Sequence, residues 1–165
     1  MAAGSTYTPI ATATLSSAAA SYTFSSIPGT YTDIVAIVSA QNVSNSGADF
    51  YTTFNGDTGT NYSRLYLVGD GSSASSGLGT NSTAINAFSL PSSGSLFNPF
   101  IFHINNYSNT TTYKTALIRQ SGTTNFMGLT AGTWRNTAAI TSITFGYVNN
   151  INAGSTFTLY GIAAA

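Results

Sequence analysis

Alternation of apolar and polar residues at a period of two runs through most of the chain. In SYTFSSI (21–27) Tyr22 and Phe24 fall on one face, and in DFYTTFNG (49–56) Phe50 and Phe54 share a face with Thr52 between them. NYSRLYLVG (61–69) sets Leu65 and Leu67 opposite Tyr66 and Val68. This spacing predicts half-buried strands, because successive strand side chains point to opposite faces. TDIVAIVSA (32–40) is apolar on both faces, as a central strand of a sandwich would be. The leading TYTPIATATL (6–15) contains Pro9, which has no N–H to donate; residues 1–12 therefore read as an edge strand or extended arm.

Six more stretches continue the pattern: TAINAFSL (83–90), FNPFIFHINNY (97–107), TYKTALIRQS (112–121), NFMGLTAGTW (125–134), AAITSITFGYV (138–148) and STFTLYGI (155–162). No long segment repeats apolar residues at helical spacing, and the helix formers Glu, Lys and Arg are nearly absent. Strands separated by short polar turns predict an all-β fold, a single antiparallel β-sandwich over 13–165 with about 8–10 strands. A jelly roll is the preferred version, although an immunoglobulin-like sandwich fits the same periodicity. Two connections have their own expectations. GDGSSASSGLGTNS (69–82) reads as a mobile loop from its small residues. FNGDTGTNY (54–62) reads as a hairpin tip, with Asp57 hydrogen-bonding the backbone inside it.

Composition narrows the function classes. Charged residues make up 5% of the 165 residues, where ordinary soluble domains carry about a quarter. The acids are Asp33, Asp49, Asp57 and Asp70; the bases are Arg64, Lys114, Arg119 and Arg135. Water is met instead by 23 Ser, 26 Thr and 15 Asn. Four dispersed cations cannot neutralise a run of phosphates, so nucleic acid is an unsuitable partner. No run approaches the ~18 apolar residues of a membrane-spanning helix, and MAAGSTYTPIATATL lacks the basic and apolar regions of a secretory signal. Net neutrality favours self-association, which is harmless in a permanent assembly.

Catalytic chemistry finds little to work with. A serine nucleophile needs a base and an orienting partner. His103 is the single imidazole, on the face opposite Phe100, Phe102 and Ile104, and no G-x-S-x-G elbow exists. Turn and strand-start positions account for all four aspartates, leaving no carboxylate pair for glycoside chemistry. Asp57 and Asp70 flank one strand at opposite ends, roughly 25 Å apart at strand rise, so they cannot share a calcium ion. Zinc has no ligand set in a cysteine-free chain with one histidine. No cofactor is therefore expected, nor an enzyme. Five N-x-S/T sequons, at Asn42, Asn61, Asn81, Asn106 and Asn109, match the number this composition yields by chance and carry no information.

The segments YTFSSIPGTYTDIVAIVSA (22–40), FNGDTGTNYSRLYLVGDGSS (54–73), LTAGTWRNTAAITSITF (129–145) and GSTFTLYGI (154–162) together resemble a family of small virion proteins of tailed bacteriophages, cyanophages among them. The resemblance implies a structural particle component without enzymatic activity, made in the host cytoplasm and residing in the virion. Its members are similar to capsid cement or decoration proteins, which implies a homotrimer on the outer head that clamps the major capsid protein. The alternative it allows is a tail- or fibre-associated module binding host glycan. It supplies no catalytic or metal residues. Interface candidates come from the aromatic content and the N-terminal stretch: Tyr7, Pro9, Ile10, Tyr62, Tyr66 and Trp134, the last in AGTWRN as either an exposed ring or a plug for the sandwich end.

Overall fold

The computed structural model describes residues 6–43, 49–89, 96–122 and 126–163. In chain order the strands are β1 (Tyr7–Thr14), β2 (Ala19–Phe24), β3 (Asp33–Ala40), β4 (Asp49–Phe54), β5 (Tyr62–Gly69) and β6 (Ala74–Ser82). They continue with β7 (Ile85–Ser89), β8 (Asn98–Asn105), β9 (Lys114–Ser121), β10 (Met127–Trp134), β11 (Ile143–Ile151) and β12 (Thr156–Ile162). Every pairing is antiparallel, and no helix occurs among the described residues. Eight strands form one sheet in the order β1-β12-β3-β8-β9-β10-β5-β6, and four form a second in the order β2-β11-β4-β7. The all-β sandwich expected from the periodicity is what the chain adopts, with twelve strands among the described residues rather than about 8–10. The strand order alone does not single out a jelly roll.

Alternation explains how the sheets adhere. Ile34, Ala36, Val38 and Ala40 of β3 and Phe100, Phe102 and Ile104 of β8 point inward and are fully buried. From the small sheet, Phe50 on β4 meets Phe100 and Phe102 with ring centroids 4.8 and 6.1 Å apart. Phe145 on β11 meets Phe102 at 4.9 Å and Phe157 of β12 at 5.9 Å. This aromatic seam is the centre of the core, since each ring buries on the order of 150–250 Å². The β3 strand lies between β12 and β8, as its two apolar faces predict. Pro9 lies on edge strand β1, where a bulge interrupts the register between Pro9 and Ala11.

Two expectations are corrected. Residues 74–82 are not loop but edge strand β6, paired with β5 from Leu65↔Leu78 to Gly69↔Ala74. Its glycines serve a packing purpose: a Cβ at Gly77 would collide with the Tyr66 ring, and Gly79 lies against the Arg64 side chain. Tyr66 and Arg64 thereby cover the inner side of a strand that has few side chains of its own. Second, 54–62 is not a hairpin tip. It leaves β4 in the four-stranded sheet and enters β5 in the eight-stranded sheet, so it is a corner joining the layers. Asn55 and Gly56 both have positive φ (52° and 67°) and Asp57 N donates to Phe54 O at 2.9 Å, a tight turn of the sort an Asn-Gly pair favours.

Candidate interaction surface

The corner at 54–62 closes one end of the sandwich, and Asp57 holds it. Its Oδ1 accepts from Gly59 N at 2.8 Å, while Oδ2 accepts from Asn61 Nδ2 at 2.9 Å and from Trp134 Nε1 at 2.7 Å. The indole donor comes first among the causes that hold this carboxyl below its ordinary range, with desolvation opposing it and Asn61 and Gly59 reinforcing it. Trp134 is buried, stacked on Tyr62 at 6.3 Å and against Phe54 at 5.7 Å. The Tyr62 hydroxyl accepts from Phe54 N at 3.0 Å and donates to Asp57 O at 3.1 Å; burial pushes its pKa up to about 12. Lys114, opposite Trp134 in the ladder, is fully buried and donates to Thr112 O at 2.7 Å and Thr137 O at 3.1 Å. Burial lowers its pKa. Arg135 completes the closure by donating to Thr60 O and to Asn81 Oδ1.

The other carboxylates are likewise engaged. Asp70 accepts from the N–H and hydroxyl groups of Ser72 and Ser73, the backbone donor of Ser73 contributing most to a strongly depressed pKa. Asp49 pairs with Arg64 at 3.0 Å. Asp33 accepts from Asn106 N at 2.7 Å and pairs with His103 Nε2 at 3.2 Å, a partnership nothing in the sequence spacing announces. Among the described residues no group of three or more acidic, histidine or cysteine side chains converges as a metal site would require.

The six interface candidates do not come together. Tyr7 and Pro9 are exposed on β1, where Tyr7 packs edge-on against Tyr160 at 6.1 Å, while Ile10 turns toward the core. Tyr62, Tyr66 and Trp134 lie on β5 and β10, roughly 25–30 Å away across the sheet at ~4.8 Å per strand. Tyr62 is corrected from a surface candidate to an interior residue, with 0% exposure. Of the two alternatives for Trp134 it is the buried plug, 1% exposed, that the fold adopts, because the corner closes over both residues. Tyr66 faces inward, edge-on to Phe88 at 5.2 Å.

The surface the candidates missed is the outer face of the eight-stranded sheet. Register places Val35, His103, Leu117, Ala131, Leu65 and Leu78 in one row across β3, β8, β9, β10, β5 and β6. The next row reads Ile37, Ile101, Arg119, Leu129, Leu67 and Ser76. Leu78 is 70% exposed, Met127 64%, Leu67 57% and Leu65 56%. Arg119 is the one unpaired charge on this face, with no hydrogen-bond or ion-pair partner among the described residues. Met127 and Leu129 form a ridge with a shallow hollow on each side. One hollow, about 250 Å³, is walled by Pro99, Ile101 and Arg119; the other, about 280 Å³, by Leu67, Gly69 and Ala74. The signal was present in the sequence as Leu65 and Leu67 alternating with Tyr66 and Val68; which side faced out was not. No protein-family model matches the chain, and no curated protein matches it either.

Proposed function

We propose that this chain is a non-enzymatic structural protein of a virus particle, a decoration or cement protein bound to the outer head and to the major capsid protein. The observation that carries the reading is the engagement of its acids: all four aspartates are held by hydrogen bonds or ion pairs of the fold. Each carboxylate fastens a turn, a strand end or a corner, a structural use that accounts for all four. The near-uncharged surface supports the same reading, since copies crowded on a shell have no field with which to repel one another.

Cement action would be mass action: a ligand that binds only the assembled shell stabilises it by its binding free energy. Particles depleted of the protein should rupture at lower temperature than particles to which it is added back, and equal rupture temperatures would remove the cement role. The glycan-binding alternative is not favoured, because Trp134, its main candidate, is buried.

A further inference from the structure

We propose that the outer face of the eight-stranded sheet docks a second copy of this chain, sheet against sheet about a two-fold axis beside Met127. This concerns the isolated protein and does not depend on the virion assignment. Three features select that occupant.

The first is area. The rows are the two above and that of Ser39, Pro99, Ser121, Met127, Gly69 and Ala74. Six strands at ~4.8 Å and three such rows at ~6.8 Å give, leaving out the buried Val35, roughly 500 Å² of mostly apolar face per copy. That is at the upper end of what a monomer leaves exposed in one patch. Burying it on both copies reaches the ~1,000 Å² that a specific interface needs.

Relief is the second. An isologous contact requires one patch to supply both projection and recess. The Met127–Leu129 ridge projects, and the hollows of about 250 and 280 Å³ beside it recede. A half-turn about an axis next to Met127 lays each ridge in the other copy's hollow. Two identical twisted sheets also stack face to face at about 10 Å with a small crossing angle.

The third is charge. Among the described residues this part of the face holds one unpaired charge, Arg119, which borders a hollow and is exposed, so its side chain can lie along the apolar surface while the charge keeps its water. The chain's net charge is +0, so no field opposes pairing or selects an oppositely charged protein instead. The family resemblance implies a trimer; a face carrying both ridge and recess argues for pairs.

The chain has no cysteine, so single cysteines report on proximity without interference. Met127→Cys should form a disulfide-linked dimer on mild oxidation, because a residue beside a two-fold axis meets its own copy. Val148→Cys, 71% exposed on the small sheet, is the control and should remain largely monomeric under the same conditions. Sedimentation equilibrium of the unmodified protein should show a reversible dimer, and Leu67→Asp should shift it to monomer with an unchanged circular dichroism spectrum. A monomer at every soluble concentration, a trimer, equal cross-linking at Val148→Cys, or an undiminished dimer in folded Leu67→Asp would each overturn the proposal. So would wild-type protein that is monomeric alone and pairs through this face only with another protein or with lipid vesicles.

Discussion

The inner and outer faces of the eight-stranded sheet come from the same strands and both carry apolar rows, yet among the described residues only the inner one lies beneath a second sheet. On β8, Phe100, Phe102 and Ile104 disappear beneath the four-stranded sheet while Ile101 and His103 face out. On β9, Ala116 and Ile118 are buried while Leu117 is 40% exposed. A strand that only had to face water on its outer side would place polar residues at every outward position, as β9 does at Thr115, Arg119 and Ser121 but not at Leu117. Apolar residues on the open side of an antiparallel sheet therefore contribute to something other than folding of the single chain. Substitutions on the two faces should separate stability from association.

The largest effect lies inside. Phe102 touches Phe50, Phe100 and Phe145, with centroids 4.9–6.2 Å away, and Phe102→Ala should cost about 3–5 kcal/mol by chemical denaturation. A loss below 1 kcal/mol would mean that the two sheets do not meet at this seam.

Next comes the closed end. Asp57→Ala strands the Trp134 indole N–H and frees the corner, and should cost about 2 kcal/mol. Because the folded carboxyl titrates below its ordinary value, the unfolded chain takes up the proton first. Its contribution is thus present above the usual carboxylate range and is lost as pH falls through the folded value. Asp57→Asn should accordingly lose less stability on acidification than the wild type does; parallel acid titrations would contradict the role assigned to Asp57.

A smaller change is expected of Tyr62→Phe, about 1–2 kcal/mol at neutral pH, from leaving Phe54 N without its acceptor. The raised pKa makes its alkaline behaviour distinctive. Between the ordinary 10.0 and the folded value of about 12, the folded state keeps a proton the unfolded state gives up. Because burial disfavours the phenolate, folding loses roughly 3 kcal/mol as pH rises from 10 toward 12, with nothing lost below pH 10. The phenylalanine variant should lack that part of the alkaline loss.

The smallest effect on the single chain belongs outside: Leu67→Asp should alter monomer stability by no more than about 0.5 kcal/mol.

These regions also differ in how far the sequence reveals them. Period-two patterning located the core strands, because inward Phe and Ile recur at the spacing a strand imposes; β3, β8 and β12 follow directly. Edge strand β6 was hidden because Gly77 and Gly79 lack the side chains that carry periodicity, and the rings and stems covering them belong to β5. The backbone bonding of Asp57 was legible from the preference of aspartate for turns, and it is seen at Gly59. Its bond to Trp134, 77 residues away, was not, since no local rule links a corner to the end of a distant strand. The 54–62 corner is hidden for a related reason: Asn-Gly chemistry fixes a tight turn but not whether the chain returns to the same sheet. Leu65 and Leu67 were seen to share a face, but periodicity cannot say which of two apolar faces is left open.

The thermal midpoint as a function of protein concentration tests the two-faced sheet most directly. A folded dimer linked through the outer face is stabilised by mass action, so the wild-type midpoint should rise as concentration rises, while that of Leu67→Asp stays constant. A wild-type midpoint independent of concentration, equal to that of the variant throughout, would contradict the account.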